Sequence, residues 1–313
     1  MKPLRTCIPP VELWIDREDA PTVIEQRVTS GELTAEDAHH LLAFRDKGYT
    51  VLQGAIEHTE IDLLLEEVTH LHERGEEYVL KMGKGLVGHP DSPVLPRKGR
   101  LYDLYVNNTR SRDMSLAAPI VKFLSLVFDE APLLFQSMLF TWGSEQSIHK
   151  DTAFVVIDQP CTLAATWIAL EDIQAGSGEL MYYPGSHRDP LFLFSEEHLA
   201  WIPQRDGKGV HARYTQFLHD QAKTKAAELE HFLARKGDVL VWHPNLAHGG
   251  APITRPELTR LSLVSHYCPV GNNPNYFRFF DRAHKCPWRD AWYSSRRYDL
   301  RPGMNNPFPV FMG

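Results

Sequence analysis

Cysteine is scarce in this chain of 313 residues, and none of its four cysteines belongs to a C-x-x-C pair. The positions are Cys7, Cys161, Cys268 and Cys286. This wide spacing argues against a disulfide framework and a zinc ribbon, and it favours a reducing, cytoplasmic location. Long apolar runs are also lacking: no segment reaches the roughly 18 apolar residues of a membrane-spanning helix, and no signal peptide is evident. We therefore expect neither a membrane partner nor processing.

An excess of positive charge is missing as well. Lys and Arg number 33 against 40 Asp and Glu, which gives a net charge of −7. A protein that binds phosphate backbones needs a basic surface, so nucleic acid is not an expected partner. The chain is 43% hydrophobic, which is enough for a sizeable core, and its length allows one large β-rich domain.

Helices are predicted mainly in the first part of the chain, and strands after it. Residues 1–32 predict an irregular arm. Capping residues and apolar residues at helical spacing predict helices at 34–48, 59–75 and 115–128. Short segments rich in β-branched and aromatic residues predict strands at 49–52, 133–142, 148–157, 162–170, 179–183, 238–243 and 258–267.

This order of elements predicts a mainly β fold with flanking helices, built as an antiparallel barrel or sandwich of about eight strands. One domain is expected over residues 33–270. Helical material near 190–236, including 221–235, interrupts its strands. An aromatic and proline-rich tail, residues 271–313, is expected to pack on the domain.

A glycine- and proline-rich segment, residues 81–100, predicts a long irregular connection. Such a segment is either a lid over a binding site or a plain connector, and both remain open. It contains a formal G-x-G-x-x-G match at Gly83, Gly85 and Gly88. We do not interpret the match as a nucleotide site, because three prolines follow at once where a helix would have to begin.

Candidate metal ligands begin with His149 and Asp151, on the predicted strand 148–157. Side chains at i and i+2 of a strand point to the same face, so the imidazole and the carboxylate are able to meet one metal ion. An H-x-D pattern alone is weak, since the two residues also occur as a surface pair or as a satisfied buried pair.

A candidate third ligand follows the predicted strand 238–243. His248 precedes Gly249 and Gly250, which leave room for a ligand to approach the backbone. His243, at the end of the same strand, is the alternative. Two histidines and one carboxylate form the open facial arrangement typical of non-heme Fe(II) oxygenases.

A candidate anion-binding residue, Arg260, lies twelve residues beyond His248. Alternation places Arg260 and Ser262 on one face of the predicted strand. A buried guanidinium needs an anionic partner, and a dicarboxylate cosubstrate is able to supply it in bidentate geometry. An internal salt bridge or an outward orientation is the alternative. Arg255 is a weaker candidate because a proline follows it.

These residues, together with the run Gly178-Glu-Leu-Met-Tyr-Tyr-Pro-Gly-Ser-His187, resemble the phytanoyl-CoA dioxygenase family of Fe(II)- and 2-oxoglutarate-dependent oxygenases. The resemblance covers about residues 35–270. It implies a double-stranded β-helix, the jelly-roll barrel shared with cupins. It also implies a cosubstrate-pocket aromatic at Trp167. In the Pro-Gly-Ser-His turn, a structural role is expected for His187.

The resemblance implies that His149, Asp151 and His248 bind Fe(II), and that Arg260, Ser262 and Trp167 bind 2-oxoglutarate. The implied activity uses O2 to hydroxylate or otherwise oxidise an unactivated C–H bond of a small molecule, with release of succinate and CO2. Halogenating members generally replace the carboxylate with a small residue, so Asp151 favours hydroxylation or a related oxidation.

Two other functions stay open at this point. One is a cupin-like metal enzyme that does not use 2-oxoglutarate, and the other is a catalytically silent barrel that binds a ligand. Gln136 and Tyr102 are candidate substrate residues. The family accepts acyl thioesters, amino acids and natural products, and the sequence does not choose among these substrate classes.

Overall fold

The computed structural model describes residues 12–71, 79–82, 85–87, 99–194, 198–278 and 283–295. Its helices are α1 Ala20–Thr29, α2 Ala35–Lys47, α3 His58–Thr69, α4 Thr109–Ser115, α5 Ala118–Phe128, α6 Pro203–Asp206 and α7 Lys208–Thr224. Its strands are β1 Tyr49–Leu52, β2 Val79–Met82, β3 Gly85–Val87, β4 Gly99–Tyr102, β5 Pro132–Phe140, β6 Ala164–Ala169, β7 Leu180–Tyr182, β8 Glu230–Phe232, β9 Val239–Trp242, β10 His248–Gly250, β11 Ser262–Pro269, β12 Lys285–Trp288 and β13 Ala291–Ser294. In this part of the chain no helix has the length and apolarity needed to cross a membrane.

Two sheets make up the β structure. The large sheet has the order β1-β9-β6-β11-β5-β4-β2-β3, and the small sheet has the order β10-β7-β8. The hairpin of β12 and β13 joins the large sheet because β13 pairs in parallel with the start of β5. About eight strands in a barrel or a sandwich were expected; the described residues form more strands than that, in a ten-stranded and a three-stranded sheet that do not close into a barrel.

Alternation along the central strands separates two apolar cores. On β9, Val239 and Val241 pack with the helices, whereas Leu240 and Trp242 face the space between the sheets. Leu180 and Tyr182 of β7 belong to the same inner cluster, so the two sheets enclose it. The helical layer covers the outer face of the large sheet. The inner face is therefore the one available for a site.

The N-terminal segment is helical where an irregular arm was expected. Residues Trp14–Asp16 form a 3₁₀ helix, and α1 follows with a proline in its first turn. Ile15 and Ile24 are buried among the helices, and Trp14 Nε1–H donates to the Leu126 carbonyl at 2.9 Å. The helix was missed because a ten-residue element with few apolar positions gives little periodicity.

Truncating Ile15 should show that this segment stabilises the domain. Ile15 is 0% exposed, so Ile15→Ala leaves a cavity and should lower the free energy of unfolding by about 2–5 kcal/mol in urea denaturation. Leu63→Ala is the control: Leu63 is 42% exposed, and its truncation should change stability by less than about 0.5 kcal/mol. Equal stability of both variants would contradict this packing.

The predicted strand 148–157 is wrong. Residues Asp151–Ala153 form a 3₁₀ helix, and the N–H groups of Phe154 and Val155 both donate to the Asp151 carbonyl. Only two isolated bridges occur in this segment as described, from His149 to His248 and from Ile157 to Pro274. The apolar run after Asp151 suggested a strand, but hydrogen bonds within the turn use the backbone groups that a strand would need for pairing.

The predicted helix at 221–235 is also wrong in its position. Helix α7 ends at Thr224, and β8 follows at the edge of the small sheet, where Tyr182 lies opposite Glu230. The predicted helix at 115–128 is confirmed over Ala118–Phe128, but it begins later, at a proline in the first turn of α5, and Ser115 ends the separate helix α4. Tertiary pairing and proline placement decide these boundaries rather than apolar spacing.

The segment 81–100 is not irregular throughout. Strand β2 pairs with both β3 and β4 at the edge of the large sheet, so the described parts of this segment are strands. Residues 83–84 and 88–98 lie outside the described residues. They include two of the three motif glycines, and the choice between a lid and a connector falls on them.

The described part of the C-terminal tail packs on the domain. The guanidinium of Arg112 lies 4.6 Å from the ring of Trp288 and 4.1 Å from the ring of Tyr293. It therefore packs against one aromatic side chain from each strand of the β12–β13 hairpin. Arg112 also donates to the carbonyls of Tyr105 and Val106. Residues 296–313 of the expected tail lie outside the described residues.

Candidate active site

His149 and His248 are tied together through their backbones. Each N–H donates to the other residue's carbonyl, at 2.8 and 2.9 Å, and the ring centroids are 4.4 Å apart. Each Nδ1 lies 2.9 Å from the carbonyl two residues earlier, at Ser147 and Leu246. Because a carbonyl only accepts, Nδ1 carries a proton on both rings, which leaves Nε2 as the nitrogen that each ring is able to offer to a metal ion.

Asp151 completes a cluster of three buried ligands. Its Oδ1 lies 3.8 Å from His149 Nε2 and 3.6 Å from His248 Nε2. One ligand atom from each of the three residues lies within 4.8 Å of the others. Two imidazoles and one carboxylate with their ligand atoms this close together are a donor set suited to a divalent transition metal.

The charge states of these groups suit metal binding. Burial, and repulsion from His248, lower the pKa of His149 to about 3, so this imidazole is neutral near pH 7. Burial acts to raise the pKa of Asp151, but the adjacent His248 and His266 outweigh it and hold the pKa below its ordinary value. The site therefore offers a carboxylate and an unprotonated His149 ring without any change of protonation.

Arg260 forms a second polar centre on the inner side. It is 3% exposed, and its Nε has no hydrogen-bond partner among the described residues. Burial lowers its pKa to about 10, which leaves it charged near pH 7. The guanidinium lies 5.2 Å from the ring of Phe140 and 5.6 Å from that of Trp167.

Two further buried polar atoms lie near Arg260. Trp167 Nε1 and Ser262 Oγ also lack hydrogen-bond partners among the residues that the structure covers. Buried donors without acceptors are costly, and a buried cation without an anion more so. A carboxylate would satisfy this set of donors, so these residues fit the far end of a dicarboxylate such as 2-oxoglutarate.

The remaining candidates lie apart from the metal cluster or stay untested. His243, the alternative third ligand, contacts Asp16 at 3.2 Å on the helical side of the sheet. His187 donates from Nε2 to the Arg45 carbonyl, and a Cβ at Gly48 would lie 2.5 Å from its ring, which agrees with the expected structural role. Arg255 pairs with Glu257 at the surface.

The predicted substrate residues Gln136 and Tyr102 are both buried. The sheet register places Gln136 of β5 opposite His266, and Tyr102 of β4 opposite Met138. Their substrate role remains a prediction.

Two residues of the site were missed in the sequence. Trp242 Nε1–H donates to Asp151 Oδ2 at 2.8 Å, and His266 Nε2 lies 3.6 Å from the same oxygen. Alternation carried on from Arg260 and Ser262 would have found His266, since it lies on the same face of the strand.

The sequence model of the family described as phytanoyl-CoA dioxygenase (PhyH) matches residues 44–260, more than half of the chain. A peroxisomal phytanoyl-CoA dioxygenase of Bos taurus is 30% identical over 106 residues, which are 34% of this chain and 28% of that protein. Phytanoyl-CoA dioxygenase 1 of Oryza sativa subsp. japonica is 27% identical over 166 residues, 50% of this chain and 54% of that protein. The chain thus spans from about a quarter to about half of these curated relatives.

Solved structures resemble the chain over most of its length. The α-ketoglutarate-dependent epimerase SnoN of nogalamycin biosynthesis superposes with a TM-score of 0.58 at 17% identity, covering 84% of this chain and 99% of that one. EctD of S. alaskensis, solved with 2-oxoglutarate and 5-hydroxyectoine, gives a TM-score of 0.54 at 17% identity, covering 87% and 85%. The likeness confirms the predicted fold, a mainly β jelly roll of the double-stranded β-helix type.

Proposed function

Since the chain belongs to the phytanoyl-CoA dioxygenase family, we propose that it is a non-heme Fe(II)- and 2-oxoglutarate-dependent dioxygenase that oxidises a small molecule. Two observations carry this proposal together: the buried cluster of His149, Asp151 and His248, and the buried Arg260, which has no anionic partner among the described residues. Packing alone explains neither the ligand cluster nor the buried arginine, because both bury polar groups that a ligand would satisfy.

The proposed metal ligands are His149 Nε2, Asp151 Oδ1 and His248 Nε2. An Fe(II) ion bound there would supply the redox chemistry, and the protein would supply binding and orientation. The Ser147 and Leu246 carbonyls orient the two rings by accepting from Nδ1, and the Gln146 amide nitrogen lies 3.2 Å from His149 Nε2. The burial of all three side chains keeps bulk water from the reacting atoms.

The proposed cosubstrate residues are Arg260, Ser262 and Trp167. The Arg260 guanidinium would bind the remote carboxylate of 2-oxoglutarate, and the Ser262 hydroxyl and Trp167 Nε1–H would donate further hydrogen bonds to it. In the overall reaction, 2-oxoglutarate and O2 give succinate and CO2, one oxygen atom enters succinate, and the other oxidises the substrate. Asp151 keeps the carboxylate that favours hydroxylation or a related oxidation.

A small-molecule substrate is supported by neighbours whose structures contain compounds such as 5-hydroxyectoine. Gln136 and Tyr102 are proposed to contact it, since both lie on the same face of the large sheet as Ser262. A cytoplasmic location is proposed from the cysteines, of which Cys161, Cys268 and Cys286 are free thiols.

The test is turnover of labelled 2-oxoglutarate by the full chain. Protein loaded anaerobically with Fe(II) should form labelled succinate once O2 is added with panels of acyl thioesters, amino acids and natural products. Metal-dependent activity that ignores 2-oxoglutarate would instead favour a cupin-like enzyme. Ligand binding that survives replacement of both His149 and Asp151, without any succinate formed, would favour a silent barrel.

A further inference from the structure

The large sheet carries a row of four side chains on its inner face, next to Asp151. Each lies directly opposite the next across adjacent strands: Trp242 of β9, Ala165 of β6, His266 of β11 and Gln136 of β5. The register therefore places only a methyl group, that of Ala165, between the indole of Trp242 and the imidazole of His266. The Asp151 carboxylate contacts both of these larger side chains.

The two oxygens of Asp151 have different surroundings. Oδ1 faces the Nε2 atoms of His149 and His248, at 3.8 and 3.6 Å. Oδ2 turns to the sheet, where it accepts from Trp242 Nε1–H at 2.8 Å and lies 3.6 Å from His266 Nε2. One oxygen is therefore directed to the ligand cluster, and the other is held by the sheet.

The hydrogen bond from Trp242 favours one orientation of the Asp151 carboxylate. An indole N–H has no use except as a donor, and a hydrogen bond to a buried ionised acceptor is about twice as strong as one between neutral groups. His266 is 3% exposed, and neither of its ring nitrogens has a hydrogen-bond partner among the described residues. A buried imidazole so placed costs free energy unless the site uses it.

We propose that Trp242, through its hydrogen bond to Asp151 Oδ2, and His266, whose Nε2 lies 3.6 Å from the same oxygen, are positioning residues, so that only Oδ1 would be offered to a metal ion. This inference rests on the proposed function. A carboxylate free to rotate is able to bind a metal through both oxygens and would then occupy a position that the cosubstrate or O2 needs. The pair thus keeps coordination positions open, and it fixes the carboxylate before any metal arrives.

The experiment compares metal binding in the wild type, Trp242→Phe and His266→Leu. Trp242→Phe removes the donor and keeps an aromatic ring, so Fe(II) affinity under anaerobic calorimetry should fall about 10–100-fold. His266→Leu should lower it less, because its contact is longer. The visible spectrum of the Co(II)-loaded protein should also shift in Trp242→Phe, because it depends on coordination number and geometry.

Trp167→Phe is the matched control. It makes the same substitution on the neighbouring strand, where Trp167 contacts Arg260 rather than Asp151. This variant should bind Fe(II) as the wild type does and keep its Co(II) spectrum, while its affinity for 2-oxoglutarate falls. Thermal unfolding of the metal-free variants separates loss of folding from loss of positioning. If Trp242→Phe does not fold, the Fe(II) affinity and the Co(II) spectrum of His266→Leu test the positioning role instead.

The outcomes distinguish the two proposals. A folded wild type that binds neither Fe(II) nor Co(II) would overturn the proposed function. A wild type that binds metal, with folded Trp242→Phe and His266→Leu proteins of equal affinity and unchanged Co(II) spectrum, would overturn only the positioning role. Weaker binding and a shifted spectrum in Trp242→Phe, absent in Trp167→Phe, would support it.

Discussion

Replacing Asp151 with asparagine should weaken Fe(II) binding by more than about 100-fold, since loss of a residue that merely orients a ligand already costs about 10–100-fold. The structure gives the reason that even this isosteric change fails. Trp242 Nε1–H requires an acceptor, so the amide oxygen will turn to the indole and the NH2 group will face His149 and His248. An amide nitrogen has no lone pair to give to a metal. Anaerobic calorimetry and succinate release measure the two losses.

The control for this variant is Asp103→Asn. Asp103 is equally buried but does not belong to the ligand cluster, and its Oδ1 accepts from the Ser137 N–H, a contact that an amide oxygen preserves. Asp103→Asn should keep metal affinity within about threefold of the wild type, in line with the usual context-dependence of such values. Tight Fe(II) binding by a folded Asp151→Asn protein would remove Asp151 from the ligand set.

Replacing Arg260 with alanine should raise the half-saturating concentration of 2-oxoglutarate by about 30-fold or more. Truncating one partner of a buried, hydrogen-bonded charge pair costs about 2–5 kcal/mol, and each 1.4 kcal/mol is a factor of ten. Fe(II) binding should not change, because Arg260 is not part of the His149, Asp151 and His248 cluster. Calorimetry of 2-oxoglutarate binding to the metal-loaded variant, beside its succinate kinetics, measures the effect.

Two variants sharpen this result. Arg255→Ala removes an arginine of the same segment whose side chain is half exposed and pairs with Glu257, so cosubstrate affinity should stay as in the wild type. Arg260→Lys keeps the charge but loses the planar fork, so it should recover only part of the affinity. If Arg260→Ala binds 2-oxoglutarate normally, the cosubstrate lies elsewhere.

The sequence predicted the ligand cluster better than its local structure. His149, Asp151 and His248 do lie together, but the reason given for the first two was wrong. They do not project from one face of a strand: His149 bridges to His248, and Asp151 begins a 3₁₀ helix. Residue type and motif spacing identify the candidate metal ligands. Pairing between segments that are distant in sequence decides the local backbone conformation that brings these ligands together.

Other features needed the three-dimensional pairing. The contact between Trp242 and Asp151 joins residues from distant segments, and no pattern in either segment indicates it. Strand β8 exists because it pairs with β7, although its residues were assigned to a helix. The fold class and the residues on the inner face of β11 could be predicted because alternation is a local property of the sequence. Contacts between distant segments are not local, so the sequence does not indicate them.

The mutual backbone hydrogen bonds of His149 and His248 bear on how the protein matures. These bonds, and those from Nδ1 to the Ser147 and Leu246 carbonyls, are made by the polypeptide itself. Small zinc domains, by contrast, acquire their shape only when the ion arrives. Here a chelator would remove the bound metal ion without unfolding the protein. Iron would bind after synthesis to a chain that had already folded.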